Sequence, residues 1–262
     1  MSKIRYKIAV MSGKGGVGKS LVTANMAMAF AMKGYKVGLL DADIHGPSIP
    51  KMLGLERRAP TIQDEKIFPV IGPLNMKVMS MAFLLPSEET PVVWRGPLKA
   101  KAIREFLSKT LWGELDYLLV DLPPGTGDEP LSIVQLIPNL SGSVIVTIPS
   151  EVSQKVVKKA VTFCRELKVP VLGIIENMSY YKCPKCGFVA NIFGAGGGER
   201  ISKEMGVRFL GKIPIDPRIS EASDKGIPFV VEYPDCEATK SFIEIVETIR
   251  SILSGHAENI SK

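Results

Sequence analysis

The chain has 262 residues, of which 45% are hydrophobic and 23% are charged, and its formal net charge is +6. This length suffices for one large α/β domain over residues 1–262, and no shift in composition divides the chain in two. No run of roughly 18 apolar residues is present, and the first apolar run lies close to the N-terminus. We therefore expect a soluble, cytoplasmic protein without a membrane span, signal peptide or appended N-terminal domain. The basic residues form no block of like charge, so steering of an anionic nucleotide explains them as well as DNA does, and we expect neither a membrane nor a nucleic-acid partner.

Apolar runs of strand length alternate with helical segments along the chain. Residues 7–11 form the first apolar run, and residues 21–32, rich in Ala and Met, form the first predicted helix. Further strands are predicted over residues 35–41, 116–121, 143–148, 170–176 and 208–213. This alternation predicts an α/β, three-layer fold, in which a mostly parallel twisted sheet carries helices on both faces.

Residues 47–97 interrupt the alternation with prolines and short extended runs. Residues 66–71 and 76–81 are predicted to form a hairpin, and Gly72-Pro73 is its turn. We interpret the whole stretch as an irregular insertion.

Three later helices are predicted over residues 97–111, 155–167 and 238–253. The second carries Cys164 on its apolar face, where a cysteine acts as a small hydrophobic core residue. The third has an acidic polar face, unlike a membrane-binding helix, and Gly255 is expected to end it.

Residues 13–20 read Gly-Lys-Gly-Gly-Val-Gly-Lys-Ser and match the P-loop pattern, which predicts that the three-layer α/β fold is a P-loop NTPase fold. Its glycines let successive backbone N–H groups cradle phosphates at the start of a helix. Lys19 is expected to reach the β- and γ-phosphates of ATP and the Ser20 hydroxyl to bind Mg²⁺. The additional lysine, Lys14, indicates a dimer. The predicted nucleotide-binding residues of this loop are Gly13, Lys14, Gly15, Gly16, Val17, Gly18, Lys19 and Ser20.

Two acidic segments follow predicted strands. Asp121 ends an apolar strand downstream of the P-loop and is expected to hold Mg²⁺ through its hydration shell. Asp43 is our choice for the group that orients the attacking water in line with the γ-phosphate. The alternative is that Asp41 and Asp43 only cap a turn. We assign His45 a structural role.

The loop after Asp121 contains Gly125 and Gly127, which leave it free to change conformation with the γ-phosphate. Asp128 is a candidate for coupling that motion to the other subunit.

Cys183-Pro-Lys-Cys186-Gly187 is the second strong local pattern, a tight turn that directs two thiolates at one metal. We place it in a separate segment, residues 178–198. Cys164 and Cys236 belong to no second pair, so one chain supplies half of a four-coordinate site. Two chains supply four thiolates, which suit either zinc or a [4Fe-4S] cluster. A thioredoxin-like redox pair is the weaker alternative, because the motif does not open a helix.

Taken in order, the motifs resemble those of the Mrp/ApbC family of iron-sulfur cluster carrier ATPases, within the deviant Walker A group that includes MinD and ParA. The resemblance rests on Lys14, segments 41–48, 94–97 and 121–128, Glu176-Asn-Met178 and Cys183-Pro-Lys-Cys186. It implies a homodimer that slowly hydrolyses ATP with Mg²⁺ and passes a labile [4Fe-4S] cluster to apo iron-sulfur proteins, with an iron-sulfur scaffold as a possible donor.

For the residues, the resemblance implies that Lys14 reaches the partner's nucleotide, that Asn177 contacts adenine and that residues 213–217 flank the base. It also implies that Cys183 and Cys186 bridge a shared cluster. We expect no counterpart of the additional N-terminal domains that some relatives carry.

Two alternative functions stay open. One is a positioning ATPase like MinD or ParA, in which the cysteine pair would have no role. The other is a zinc-stapled regulatory ATPase, which would carry the same nucleotide motifs.

Overall fold

The computed structural model describes residues 1–44, 46–84 and 96–260, and the side chains of all of these except 84, 96–102 and 256–260. His45, Trp94 and Arg95, which contributed to the predictions above, lie outside the described residues.

Most strands are short and apolar, and the helices that separate them are longer. The strands are β1 Ile4–Ser12, β2 Val37–Asp41, β3 Thr61–Gln63, β4 Lys66–Phe68, β5 Val70–Ile71, β6 Lys77–Ser80, β7 Leu115–Asp121, β8 Gly142–Thr147, β9 Val171–Glu176, β10 Tyr181–Lys182, β11 Val189–Ala190 and β12 Phe209–Lys212. The α-helices are α1 Lys19–Met32, α2 Ile49–Met52, α3 Gly96–Lys109, α4 Asp128–Leu136, α5 Glu151–Glu166, α6 Gly197–Met205, α7 Pro217–Asp224, α8 Phe229–Glu232 and α9 Glu237–Ile260.

An eight-stranded sheet in the order β12-β9-β8-β1-β7-β2-β6-β5 forms the centre of the fold. Its neighbouring strands are parallel except at the edge, where β5 runs antiparallel to β6. Strands β2 and β8 are buried along their whole length, as expected for a sheet covered on both faces. Helices α1 and α9 contribute to the apolar core on one face, and α3, α4 and α5 to the core on the other. The predicted three-layer, mostly parallel α/β fold is confirmed.

The stretch predicted as an irregular insertion contains two hairpins, and both strands of the second hairpin, β5 and β6, belong to the central sheet. Strand β6 runs parallel to β2, so the prediction of an insertion was wrong for this strand. The predicted pairing across Gly72-Pro73 is confirmed, since β5 pairs antiparallel with β6. The predicted strand 66–71 is divided, because Pro69 separates β5 from β4, which instead pairs with β3. Proline has no N–H for a sheet ladder, which accounts for the break.

Helices α2, α4, α6, α7 and α8 were absent from the predicted elements. Helix α6 begins in a run of glycines, which are poor helix formers. Its start is fixed by packing, because a Cβ at Gly197 would lie 2.3 Å from the carbonyl oxygen of Pro149. Helix α5 begins four residues earlier than predicted, where the Ser150 side chain caps it by accepting from the N–H of Ser153. Cys164 on α5 is buried in the core, as predicted.

The expected end of the last helix at Gly255 was wrong, since α9 continues to Ile260. A glycine inside a helix weakens it but does not have to end it. Within the described residues, the helices are all too short or too polar to cross a membrane.

Replacing Gly255 with Ala should raise the free energy of unfolding by about 0.5 to 1 kcal/mol, because Ala favours a helix interior. An added Cβ there meets nothing within 4 Å, so packing does not oppose the change. Urea denaturation followed by circular dichroism measures it.

Gly206→Ala is the matched control. An added Cβ at Gly206 also meets nothing, but its φ is +60°, which an alanine adopts only with strain, so this variant should lose stability. Destabilisation by Gly255→Ala of the same size would mean that Gly255 ends the helix.

Candidate functional site

The P-loop connects β1 to α1 through two glycines in the left-handed conformation. Gly16 has φ 76° and Gly18 has φ 78°, a region that other residues enter only with strain. A Cβ at Gly18 would also lie 2.3 Å from the Asn177 side chain. A Cβ at Gly15 or Gly16 would meet no described atom within 4 Å, so this side of the loop faces outward. The loop therefore offers its backbone N–H groups at the start of α1, as phosphate binding requires.

The carboxylate of Asp121 joins the P-loop helix to the sheet. It is fully buried, and Lys19 Nζ lies 2.7 Å from its Oδ2. The hydroxyl of Ser20 donates to Oδ2 as well, and Thr23 Oγ1 donates to Oδ1 at 2.7 Å. Removing one partner of such a buried pair leaves a charge without compensation, at a cost of about 3–5 kcal/mol.

Three of these four residues were predicted from the motifs, and Thr23 was missed. No pattern in the sequence indicates it, because its role follows from the packing of α1 against β7. The hydroxyl of Ser20 and the carboxylate of Asp121 are hard oxygen ligands of the kind that Mg²⁺ prefers, so these residues fit the metal.

Asp41 lies beside Asp121, since the two residues are paired neighbours at the ends of β2 and β7. Its Oδ2 accepts hydrogen bonds from Ser80 Oγ at 3.0 Å and from the N–H of Ile49 at 3.3 Å. Burial, with added repulsion from Asp121, raises the pKa of Asp41 to about 8. Asp41 therefore holds its proton at neutral pH, and one negative charge of the pair remains next to Lys19.

Asp43 is almost fully buried just beyond the end of β2. Its Oδ1 accepts from the N–H of Gly46 at 3.3 Å, which is the turn-capping arrangement weighed as the alternative. A role in orienting water stays a prediction.

Lys14 is half-buried in the loop, and its carbonyl oxygen accepts from Ser12 Oγ at 2.9 Å. The preceding Gly13 packs against α5, because a Cβ there would lie 2.5 Å from the carbonyl oxygen of Val156. That Lys14 acts in a partner's site stays a prediction.

Asn177, directly after β9, is brought against the P-loop across 160 residues of sequence. Its Nδ2 donates to the carbonyl oxygen of Val17 at 2.9 Å, and its N–H donates to that of Thr147 at 2.7 Å. The side chain is buried beside the loop. The adenine contact stays a prediction, and the Asn177 side chain lies directly against the P-loop.

Cys183 and Cys186 lie in a tight turn closed by a short hairpin of β10 and β11. The N–H of Gly187 donates to the carbonyl oxygen of Cys183, and the N–H of Cys183 donates to that of Phe188, both at 2.9 Å. Gly187 has φ 73°, which glycine adopts without strain. We call residues 183–187 the cysteine knuckle.

The knuckle favours a thiolate. Hydrogen bonds from the backbone N–H groups of Cys186 and Lys185, together with the neighbouring Cys186 side chain, lower the pKa of the Cys183 thiol. Because the thiolate is the form that binds metals, the turn prepares Cys183 as a ligand.

Within the parts of the chain that the structure describes, no group of three or more His, Cys, Asp or Glu side chains could hold a metal ion. Cys164 is buried next to Met11 Sδ, and Cys236 contacts Thr239. The knuckle therefore supplies two ligands on its own.

The sheet order, the P-loop and its Asp121 partner define a P-loop NTPase. Residues 3–250 match the family described as NUBPL iron-transfer P-loop NTPase. The chain belongs to this family.

Relatives in three organisms show how much of the chain is shared. Proteins named iron-sulfur cluster carrier protein from Methanocaldococcus jannaschii and Saccharolobus solfataricus are 55% and 54% identical over 98% of this chain, and the matches cover 88% and 86% of those proteins. A Dictyostelium discoideum protein named cytosolic Fe-S cluster assembly factor NUBP2 homolog is 46% identical over 93% of this chain and 95% of that protein.

Solved structures support the same fold. The nucleotide-binding protein from Archaeoglobus fulgidus, in complex with ADP, has a TM-score of 0.77 and 48% identity, and the match covers 87% of this chain and 88% of that one. MinD from Pyrococcus horikoshii, complexed with Mg-ADP, has a TM-score of 0.70 at 24% identity over 94% of this chain and 96% of that one, a likeness of fold alone.

Asp41→Asn should change the pH dependence of stability. In the wild type, Asp41 ionises near its ordinary pKa when unfolded but holds its proton to about pH 8 when folded, so its stabilising contribution falls as pH rises through this window. Asn does not titrate. The stability of Asp41→Asn relative to the wild type should therefore increase between about pH 5 and pH 8, by roughly 1 kcal/mol or more.

Urea denaturation at several pH values measures this difference. Asp224→Asn, an exposed change of the same chemistry, controls for the change in net charge. Parallel stability curves for Asp41→Asn and the wild type would contradict the raised pKa.

Proposed function

We propose that this protein is an ATP-binding and ATP-hydrolysing carrier which, as a homodimer, binds a labile [4Fe-4S] cluster and transfers it to apo-proteins. The observation that carries the proposal is the exposed knuckle, which stabilises a thiolate and holds only two cysteines, on a chain of the iron-transfer P-loop NTPase family. The cluster is cargo, not a resident cofactor.

Ligand count supports a dimer. A [4Fe-4S] cluster takes four cysteine thiolates, and one chain offers a single pair among its described residues. A second copy of the chain would complete the set with identical geometry, as a two-fold axis through the cluster requires. Such a site lies between subunits and lacks an enclosing protein shell, so the cluster would be labile and transferable.

The surface that follows the knuckle supports the same conclusion. Phe188 and Ile192 are 67% and 59% exposed, and Val189 and Phe193 are also exposed. Large apolar side chains grouped on a surface mark an interaction site. A partner knuckle would bring the same apolar residues from the other chain and cover them.

The nucleotide half of the proposal assigns roles to residues of the P-loop and its neighbours. Ser20 and Asp121 would hold Mg²⁺, which neutralises charge on the phosphates when bound. Lys19 would bind the β- and γ-phosphates, Asp43 would orient the attacking water, and Lys14 would reach the partner's nucleotide. Hydrolysis would be slow, because it serves to switch the dimer and not to turn over a metabolite.

The names of the relatives support the transfer of a cluster to acceptor proteins and a cytoplasmic location for this protein. Two are called iron-sulfur cluster carriers, and one a cytosolic assembly factor. We place this protein in the cytoplasm, with apo iron-sulfur proteins as acceptors and an iron-sulfur scaffold as a possible donor. A zinc-stapled ATPase is the alternative that the knuckle geometry also fits, since zinc accepts the same thiolates.

Lys19→Ala and Ser20→Ala should each lower the rate of Mg²⁺-dependent ATP hydrolysis about 100-fold or more, because each removes a charge or ligand that stabilises the transferring phosphoryl group. Phosphate release measures the rate, and thermal unfolding verifies that the variants are folded. Lys36→Ala, at an exposed lysine, is the control. Unchanged hydrolysis in Lys19→Ala would refute the assignment.

Mixed dimers test whether Lys14 acts across the interface. If Lys14 serves the partner's site and Asp43 its own, a dimer of one Lys14→Ala chain and one Asp43→Ala chain has one site with both lesions and one site with neither. Mixing the two inactive variants should then restore up to about half of the wild-type ATPase activity. No recovery, with heterodimers verified by differential tags, would argue against the assignment in trans.

Cys183→Ser and Cys186→Ser should each abolish iron binding after anaerobic reconstitution, while ADP affinity stays close to that of the wild type. The wild type should bind about four irons per two chains. Cys236→Ser is the matched control and should keep its iron, because Cys236 contacts Thr239 and lies outside the knuckle. Tightly held zinc in the wild type, with no transfer to an apo-acceptor, would favour the zinc-stapled alternative.

A further inference from the structure

A buried carboxylate, Glu176, holds both ends of the segment that carries the knuckle. Glu176 is the last residue of β9 and is fully buried. Its Oε1 accepts from Ser179 Oγ at 2.5 Å, and its Oε2 accepts from the N–H of Gly198 at 2.6 Å. Ser179 precedes the knuckle and Gly198 follows it in the first turn of α6. One side chain therefore closes residues 179–198 into a loop.

The charge of Glu176 makes this closure sensitive to movement. Among the described residues no Lys, Arg or His forms an ion pair with it, so its charge is balanced by the two donors and by the N-terminus of α6. A buried carboxylate that loses a donor is strongly destabilised. The contacts are also tight, since a Cβ at Gly198 would lie 3.0 Å from the Cβ of Glu176. A shift of the strand end must therefore move the loop with it or break a hydrogen bond.

The next residue, Asn177, contacts the P-loop. Its side chain donates to the carbonyl oxygen of Val17 in the P-loop, and its backbone N–H donates to that of Thr147 in β8. One peptide bond thus joins a residue that contacts the P-loop to the residue that closes the knuckle segment. The α6 end of the segment also packs on the β8–α5 corner, where Gly197 meets the carbonyl of Pro149.

We propose that Glu176 is a positioning residue that couples nucleotide binding at the P-loop to the geometry of the knuckle. This coupling rests on the proposed function. Nucleotide binding would move the P-loop, and the Val17–Asn177 contact would then move the end of β9. Glu176 would pass this movement to both ends of the knuckle segment. Ser179 and Gly198 both donate to Glu176 through short hydrogen bonds, so the movement reaches the knuckle segment without any contact between nucleotide and knuckle.

The test measures how ADP changes the reactivity of the knuckle thiols in iron-free protein. Iodoacetamide labelling, resolved for each cysteine by mass spectrometry, is followed with and without Mg-ADP. ADP is used because it lacks the γ-phosphate, and sedimentation verifies that the protein stays monomeric, so that a dimer interface does not shield the thiols. In the wild type, ADP should change the labelling rate of Cys183 and Cys186 about fivefold, and that of Cys236 should stay constant.

Glu176→Ala should bind ADP but show a labelling ratio near one, because the closure is lost. Ser179→Ala is the milder variant, which keeps the Gly198 contact and frees one end, and it should show a reduced ratio. Glu199→Ala is the matched control, since it removes an exposed carboxylate from the same turn of α6 and should keep the wild-type ratio. A wild-type ratio in both Glu176→Ala and Ser179→Ala, or no effect of ADP in the wild type, would overturn the inference.

If the proposed function itself is wrong, the measurements differ from those expected when only the coupling is absent. In that case the wild type and Glu199→Ala would bind no nucleotide or take up no iron-sulfur cluster. Failure of the coupling alone leaves both of these intact.

Discussion

The buried carboxylate of Asp121 connects the P-loop and the start of α1 to the central sheet. It accepts from Lys19, Ser20 and Thr23, which all lie in the first turns of α1, and it lies next to the carboxyl of Asp41. Two carboxyl groups so close would repel each other if both were ionised, and the raised pKa of Asp41 avoids this. The same groups are those that the proposed function assigns to phosphate and Mg²⁺, so this structural junction would also hold the nucleotide site together before its ligand arrives.

The knuckle is built differently, because its stability comes from local turns and not from the core. Backbone N–H groups and a two-stranded hairpin shape it, and its cysteines remain accessible. The proposed release of a cluster would need this exposure, whereas a structural metal site is closed. The two parts meet at the end of β9, where Asn177 faces the P-loop and Glu176 faces the knuckle segment. The end of β9 therefore contacts both the P-loop and the segment that carries the knuckle.

Much of this could be predicted from the sequence where the chemistry is local. The P-loop spacing, the strand ending in Asp121 and the Cys183–Cys186 pair each occupy a short stretch, and the alternation of apolar runs predicted the parallel sheet. Contacts made by tertiary packing could not be predicted in this way. Thr23 meets Asp121 across 98 residues, and Glu176 meets Gly198 through a glycine-rich helix start that reads as a loop. Helix α9 continues through Gly255, because a glycine allows a helix to end but does not require it to end. A single glycine is therefore a weak predictor of a helix C-terminus.

In the proposed function, two chains share one cluster, and each chain gives two thiolates. Native mass spectrometry of anaerobically reconstituted protein tests it most directly, because it weighs the assembly together with its cargo. We expect a dimer that carries one [4Fe-4S] cluster, and monomers that carry none. Monomers that each hold a complete cluster, or dimers whose added mass is that of a single zinc ion, would contradict it.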